Sequence, residues 1–481
     1  MTFTSTRSVL SASSLETILR GLAPDGGLFV PQAIKGLEGS GLNGLNTLER
    51  AERFALGAFF DDIPETVREA AIKNLLAKFP DDAHGGAVPL VDLGDFQLLE
   101  LFHGPTGAFK DVALSILPVL MAEAARQAGR GKVLVLTATS GDTGSAAMAG
   151  FANVPGVEVA VFFPHTGTSR IQRLQMTTPS APNVHGIAIR GNFDDAQAAV
   201  KRIFSSAAMR AEAEAAGVTL SSANSINTGR LVPQIAYYLL AAATLAGDGP
   251  STVPFDVVVP SGNFGNILAA YYAKLLGAPI DRLVCASNVN DVLARFIATG
   301  TYDPGDRFTV TNSPSMDIRK SSNVERLLWL VNGGLDDPAS AAAETKRLMD
   351  DFAATGRYTL SAAARERLQA HFVPGTADPE ETEAEMRHLR ADTRGYIIDP
   401  HTAVATCVAR KLGLPDGKPC VVAATATPYK FPETCLRAFG EDVLCDPPPA
   451  FAALETAPVT QSQVVDVPEI DDAVRALLVY S

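Results

Sequence analysis

The feature that most constrains the fold of this chain is an alternation of short apolar strands with amphipathic helices from about residue 86 onward. The strand candidates are KVLVLT at 132, VEVAVFF at 157, HGIAIR at 185, FDVVVP at 255, DRLVCA at 281 and KPCVVAAT at 418. Near-continuous apolar strands of this kind are typical of a parallel sheet covered by helices on both faces. The pattern predicts an α/β fold.

The segments outside this alternation have a different character. Residues 1 to about 85 are predicted to be a helical N-terminal domain, because Pro64 can begin a helix with one apolar face. Residues 331–395 are rich in alanine and glutamate, which predicts a helical insertion on the outside of the sheet with a solvated charged face.

Charge and cysteine spacing argue against several classes of protein. The net charge of −13, without any basic run, argues against a nucleic-acid-binding surface. The five cysteines have no metal-site spacing, and the scattered histidines lack HExxH, so no metal is expected. The longest uncharged run, 231–247, is shorter than the roughly 20 residues of a spanning helix. We expect a cytoplasmic protein that contacts neither nucleic acid nor membrane.

Three places share one order of elements: a strand, a loop rich in Gly, Ser, Thr or Asn, and a helix. They read VLVLTATSGDTGSAAMAG, VVVPSGNFGNILAAYYAKL and VVAATATPYKFPETCLRAF. In open α/β sheets, ligands bind beyond the carboxyl ends of strands, where helix N-termini favour anions. The dinucleotide and P-loop patterns are both missing, so the loop 261–266 suits one phosphate better than a pyrophosphate. A single such loop is more often only a tight turn, but three together indicate one anion-lined cleft.

The stretch FHGPTGAFKD places Lys110 between a glycine-rich loop and an apolar run with helical period. If burial lowers its pKa from about 10.4, such a lysine can form a Schiff base with an aldehyde cofactor. Beside a loop for one phosphate, that chemistry points to pyridoxal phosphate; a solvated lysine at a helix start is the alternative. His103 and His401, in loops flanked by Gly and Pro, are the remaining candidate site residues.

These motifs resemble those of the threonine synthase family from Thr4 to Phe431. The matching segments, in family order, are TSTR, GLAPDGGLFVP, HGPTGAFKD, TATSGDTGSAA, GNFDDAQ, NSINTGRLVPQ, VPSGNFGN, SPSMDI with SSNVERLL, DPHTAVA and TATPYKF. The resemblance implies the tryptophan-synthase-β-like fold of pyridoxal-phosphate enzymes, with two sheet domains and a helical N-terminal domain. The expected boundaries are 1–85 for the N-terminal domain, 86–450 for the core with a small mobile domain at about 130–225, and 451–481 for a C-terminal tail.

The resemblance also implies roles for individual residues. Lys110 is implied to bond to pyridoxal phosphate, and Thr425 to meet the pyridine nitrogen with a neutral hydroxyl. The residues implied to cradle the cofactor phosphate are Gly262, Asn263, Phe264, Gly265 and Asn266. The residues implied to bind substrate are Ser140, Gly141, Asp142 and Thr143 at its carboxylate, and Asn227 and Arg230 near its phosphate.

The chain departs from the family at three positions in the expected wall of the site. Gly107 stands where a larger apolar residue is common, Thr427 where histidine is frequent, and Tyr429 where a small residue is frequent.

The activity implied is conversion of O-phospho-L-homoserine and water to L-threonine and phosphate. Two alternatives stay open: another lyase of the same fold, such as a serine or threonine dehydratase, and a non-catalytic sensor that binds pyridoxal phosphate. The NSINTGRLVPQ motif and the N-terminal domain argue against the first, and intact Lys110 argues against the second. Either a monomer or a small homo-oligomer is compatible with the sequence.

Overall fold

The computed structural model describes residues 1–37, 41–79, 86–139, 141–247, 253–444 and 446–479. The strands are β1 Phe3–Ser5, β2 Phe29–Pro31, β3 Leu90–Asp92, β4 Gln97–Glu100, β5 Lys132–Ala138, β6 Val157–Pro164, β7 Val184–Arg190, β8 Val218–Ser222, β9 Phe255–Pro260, β10 Ile280–Ser287, β11 Thr301–Tyr302, β12 Tyr358–Thr359, β13 Phe372–Thr376, β14 Cys420–Ala424 and β15 Gln463–Asp466. The helices are α1 Ser14–Arg20, α2 Leu48–Phe59, α3 Glu65–Leu76, α4 Lys110–Gln127, α5 Asp142–Phe151, α6 Arg170–Thr177, α7 Phe193–Ser205, α8 Ala207–Ala215, α9 Thr228–Leu231, α10 Pro233–Ala246, α11 Gly265–Leu275, α12 Val292–Thr299, α13 Val324–Val331, α14 Pro338–Thr355, α15 Ala362–Gln369, α16 Pro379–Asp392, α17 Pro400–Lys411, α18 Pro432–Phe439, α19 Pro449–Leu454 and α20 Ile470–Val479.

The larger sheet has six strands in the order β13-β10-β9-β14-β4-β3. Its strands pair in parallel except β3, which lies antiparallel at one edge. Because β9, β14 and β4 are neighbours, the loops that follow them emerge side by side at one edge of the sheet, where ligands bind in folds of this class.

The smaller sheet has five parallel strands in the order β15-β7-β6-β5-β8. The edge strand β15 comes from the predicted C-terminal tail and pairs with β7, so that tail contributes to the sheet. All six strand candidates of the sequence are strands, and the α/β class is confirmed.

The N-terminal segment contains the predicted helices, and α3 begins directly after Pro64. It also contains an antiparallel pair, β1 with β2, that the helical prediction missed.

The predicted insertion 331–395 is mainly helical but also supplies β13, the edge strand of the larger sheet. The expected boundary at residue 85 lies outside the described residues, and the domain limits stay predictions.

Helix α4 is the central buried helix of the molecule and packs against α1, α3 and α5. The apolar positions that followed Lys110 in the sequence, among them Val112, Leu114 and Leu117, are completely buried. Burial of each such side chain stabilises the fold by about 1.5–3 kcal/mol. The prediction of a core helix starting at the lysine is therefore confirmed. Among the described helices, none has the length and apolar character needed to cross a membrane.

Candidate active site

The carboxyl ends of β4, β5, β9 and β14 border a cleft with about 1180 Å³ of open space, part of it solvent at the mouth. The sequence-predicted residues that line it are Lys110, Asp142, Thr143, Arg230, Gly262, Asn263, Phe264, Gly265, Asn266, His401 and Thr425. Residues from both sheets thus meet in one place, as the three strand–loop–helix segments predicted.

Lys110 is the first residue of α4 and its side chain is 13% exposed. Burial lowers the pKa of Lys110, the nearby cations Arg230 and Lys430 add to that effect, and the carboxylate of Asp142 opposes it. The Lys110 Nζ lies 3.4 Å from Asp142 Oδ2. A lysine with a depressed pKa keeps more of its amine in the nucleophilic form at neutral pH.

The loop before Lys110 is held by the residue after it. Thr106 donates to the two carboxylate oxygens of Asp111, from its backbone N–H at 2.9 Å and from its hydroxyl at 2.6 Å. A Cβ on Gly104 would lie 2.5 Å from the Cβ of Asp111, so the close approach requires glycine there. The HGPTGAFKD segment is therefore a locally bonded turn that fixes the start of α4.

The loop 262–266 joins β9 to α11. Phe264 has a φ of 62°, and a Cβ on Gly262 would meet the carbonyl oxygen of Ser315 at 2.6 Å. Asn323 braces the loop with two hydrogen bonds to the carbonyl oxygen of Asn263, from its backbone N–H at 3.1 Å and its Nδ2 at 3.0 Å.

Among the described residues, none accepts a hydrogen bond from the backbone N–H groups of 262–266. The side-chain Nδ2 of Asn266 is also buried without a partner there, while Tyr238 donates to the Oδ1 of the same amide. Unpaired donors at the start of a helix are the groups that bind a phosphate. The loop therefore fits the phosphate of pyridoxal phosphate.

Thr425 follows β14, and its carbonyl oxygen accepts a 2.9 Å hydrogen bond from the backbone N–H of Phe109, the neighbour of Lys110. The departures from the family adjoin this contact. Gly107 has a φ of 70°, and a Cβ there would lie 2.6 Å from Thr427 and 2.7 Å from Phe451. Tyr429 lies near Phe451 with ring centroids 6.3 Å apart. Thr427 and Phe451 thus occupy the space that a larger residue at 107 would need.

The loop after β5 was expected to bind a carboxylate. Ser140 lies outside the described residues, and Thr143 is a half-buried residue in the first turn of α5. Gly141 has a φ of 151°, and a Cβ there would lie 2.4 Å from the side chain of Gln172. Asp142, almost completely buried, accepts hydrogen bonds from Gln172 at 2.8 Å and from Lys430 at 2.9 Å.

Arg230 is buried within α9, and its side chain donates to the carbonyl oxygen of Ala223. Its Nε is buried with no partner among the described residues, and burial lowers its pKa to about 10. An unpaired guanidinium N–H beside a cleft fits an anionic ligand. Asn227 does not line the cleft: its Nδ2 donates to the carbonyl oxygens of Ile18 and Ser222. A ligand contact for Asn227 stays a prediction.

The two candidate histidines lie in different surroundings. His401 is in the first turn of α17, not in a loop, and lines the cleft. Its Nδ1 is 2.7 Å from Asp399 Oδ1, and its Nε2 accepts a 3.1 Å hydrogen bond from the backbone N–H of Ser315. His103 is in the loop after β4, pairs with Glu100 at 2.6 Å and is not among the residues that line the cleft.

Two residues near Lys110 were missed in the sequence. Lys430, in the TATPYKF motif, is fully buried and bonds Asp142, and Ser315, in SPSMDI, donates from its hydroxyl to Asp142 Oδ2 at 3.2 Å. A lysine flanked by Tyr and Phe in an otherwise apolar segment was the available signal for Lys430. Nothing in the local sequence distinguishes Ser315.

Family models match along nearly the whole chain. The model described as pyridoxal-phosphate dependent enzyme matches residues 84–426. The model of the threonine synthase N terminus matches residues 2–74, and that of the threonine synthase C-terminal region matches residues 402–477.

Individual threonine synthases are also similar to this chain in sequence and in structure. The chain is 38% identical over 444 residues to a threonine synthase of Pseudomonas aeruginosa, covering 91% of this chain and 90% of that one. The crystal structure of threonine synthase from Brucella melitensis with bound pyridoxal phosphate superposes with a TM-score of 0.88 at 34% identity, covering 99% of each chain. The yeast threonine synthase structure superposes with a TM-score of 0.89 at 31% identity, covering 100% of this chain and 99% of that one.

Proposed function

Because the chain belongs to the threonine synthase family, we propose that it converts O-phospho-L-homoserine and water to L-threonine and phosphate in the cleft at Lys110. The chain is a pyridoxal-phosphate-dependent lyase.

The observation that carries the proposal is the meeting of three features in one cleft. Lys110, the loop 262–266 with its unpaired N–H groups, and Arg230, whose Nε has no partner among the described residues, all line it. A cofactor phosphate and a substrate phosphate each require their own donors, and the cleft offers two separate sets.

When bound, pyridoxal phosphate supplies an electron sink for charge that develops at the substrate carbons. Lys110 would hold the cofactor covalently and, once released, its amine takes the proton from the substrate Cα and moves protons at Cβ. Arg230 orients the phosphate that leaves from Cγ, and water adds at Cβ. The burial of Lys110 and Arg230 strengthens their electrostatic interactions with a bound anion.

Thr425 is placed by its backbone contact with Phe109 and would present a neutral hydroxyl to the pyridine nitrogen. A neutral partner does not force that nitrogen to remain protonated, which tunes the cofactor as an electron sink.

A parallel assay of the purified protein tests the proposal. Phosphate release from O-phosphohomoserine, with threonine formed in equal amount, is the expected result. Ammonia release from serine or threonine at a higher kcat/KM would assign the protein to the dehydratases. Pyridoxal phosphate binding without turnover of any of these substrates would make it a sensor.

The protein is also proposed to act in the cytoplasm, in support of which its four described cysteines are free. A fractionation experiment with the tagged full chain tests this location.

A further inference from the structure

Asp142 is the meeting point of two lysines that come from the opposite sheet. It begins α5, directly beyond the smaller sheet, whereas Lys110 follows β4 and Lys430 follows β14 of the larger sheet. Lys430 Nζ lies 2.9 Å from Asp142 Oδ1, and Lys110 Nζ lies 3.4 Å from Oδ2. Gln172 and Ser315 donate to the same two oxygens.

This arrangement does not suit an anionic ligand at Asp142 itself. Although burial alone would raise the pKa of Asp142, the charges of Lys430 and Lys110 hold it far below its usual range. A carboxylate with both oxygens occupied by donors repels a second carboxylate and offers it no hydrogen bond. The Asp142 side chain is therefore not a donor for the substrate carboxylate.

We propose that Asp142 is a catalytic residue that contacts the Lys110 amine and sets its protonation state, and that the charge of Lys430, which bonds Asp142, acts on the same amine in the opposite direction. The inference deepens the proposed function, since it concerns the group that moves protons in that reaction. Neither residue is exposed enough for a solvation role: Asp142 is 4% and Lys430 is 0% exposed.

Asp142 and Lys430 shift the pKa of Lys110 in opposite directions. Asp142 favours the charged ammonium by direct attraction, while burial, Arg230 and Lys430 favour the neutral amine. Lys430 also holds Asp142 by donating to it and to the carbonyl oxygen of Thr106 at 2.9 Å, in the turn before Lys110. Among the described residues, the other titratable groups near this cluster are Asp111, which bonds Thr106, and the Asp399–His401 pair, which bonds Ser315.

A reaction in which one lysine both removes and returns protons needs an amine that is stable in both states. A negative partner in contact with that amine prevents burial and two neighbouring cations from keeping it neutral throughout. Asp142 therefore raises the proton affinity of Lys110, and Lys430 lowers it.

The test measures the pH dependence of Lys110 acetylation by acetic anhydride in the full chain freed of cofactor, read by peptide mapping. Removing an opposite charge at this distance lowers a pKa by about 1 unit or more, so Asp142→Asn should shift the midpoint for Lys110 to lower pH by that amount. Lys430→Met should shift it to higher pH, because a like charge is removed. The opposite directions distinguish an electrostatic role from a general loss of structure.

Asp256→Asn is the matched control. Asp256 is an equally buried carboxylate in β9 that pairs with Arg282 and does not line the cleft. It should lower the unfolding temperature without moving the Lys110 midpoint. If Lys430→Met fails to fold, Asp142→Asn alone still decides, because an unchanged midpoint overturns the proposal. An equal shift of the Lys110 midpoint in Asp256→Asn also overturns the proposal. The labelling needs no substrate, so these outcomes are independent of whether the protein makes threonine.

Discussion

The hydroxyl groups of Thr17 and Thr228 lie 2.7 Å apart and are buried between α1 and α9. Asn227, the N-cap of α9, also donates to the carbonyl oxygen of Ile18 at 2.8 Å. The N-terminal segment therefore holds the short helix that carries Arg230. A four-residue helix has little stability of its own, so its position depends on such contacts.

We expect Thr228→Val to raise the KM for O-phosphohomoserine several-fold and to leave cofactor affinity unchanged, because the hydrogen bond between the Thr17 and Thr228 hydroxyls is lost and the α9 segment loosens. The Thr17 hydroxyl still donates to the carbonyl oxygen of Ser14, so the lost hydrogen bond costs about 0.5–1.5 kcal/mol. Steady-state kinetics and a cofactor titration measure the two effects. Thr345→Val is the control, because the hydroxyl of Thr345 is buried without a partner among the described residues. A rise in KM in the control, or an unchanged KM in Thr228→Val, contradicts the idea.

Lys110→Ala should still fold and bind pyridoxal phosphate through the 262–266 loop, because the phosphate donors are separate from the covalent link. Turnover should fall by at least about 10²–10⁴-fold, the range of a single acid–base group. Absorbance spectra and activity measure both effects. Borohydride reduction of the unmutated protein followed by peptide mapping should label Lys110, and a label on another lysine would refute its assignment.

Arg230→Ala should raise the KM for O-phosphohomoserine at least about tenfold, because a guanidinium beside a cleft makes charge-assisted hydrogen bonds to phosphate. Inhibition by inorganic phosphate should weaken in parallel, and cofactor affinity should stay the same. Arg230→Lys retains the charge but not the fork, and should recover only part of the loss. A variant that loses pyridoxal phosphate but keeps its KM would place Arg230 at the cofactor.

Thr425→Asp should favour a protonated pyridine nitrogen, because a carboxylate replaces a neutral hydroxyl beside the ring. The visible absorbance of the bound cofactor and the ratio of threonine to side products should both change. Thr425→Ser retains the hydroxyl and serves as the control. If the aspartate variant folds with an unaltered spectrum and product ratio, the residue does not meet the ring nitrogen.

Glu52 in α2 is fully buried, and among the described residues neither carboxylate oxygen has a hydrogen-bond partner. Burial raises its pKa well above the ordinary value, so the folded protein keeps the proton that the unfolded chain releases above about pH 4.3. Its contribution to stability is present at low pH and is lost as the pH rises toward the folded pKa.

Glu52→Gln should remove that pH dependence while preserving the shape of the side chain. The unfolding free energy of the variant minus that of the unmutated protein should rise by about 1.4 kcal/mol per pH unit between about pH 5 and the folded pKa. Urea unfolding at several pH values measures the difference. A constant difference would mean that Glu52 is ionised in the folded protein.

Much of the site could be predicted from the sequence, because its parts are local. Wherever a strand is followed by a glycine-rich loop and a helix, the loop leads into a helix N-terminus. The loop 262–266 and Thr425 could therefore be identified from the sequence. Lys110 was identifiable because the buried helix that it starts has a clear apolar period. The class of the fold followed from the continuous apolar strands.

What the tertiary structure decided is how residues far apart in the chain meet. Asp142 looked like part of a carboxylate-binding loop, and only the packing of the two sheets shows that it faces Lys110 and Lys430. Asn227 is predicted to lie near the substrate phosphate, and only the position of α1 shows that its amide donates to the carbonyl oxygen of Ile18. The strand β15 in the tail was also invisible, since an exposed edge strand has no continuous apolar run. Local sequence patterns determine elements and turns, whereas the partners of a buried charge depend on which elements pack together, and that is a property of the whole chain.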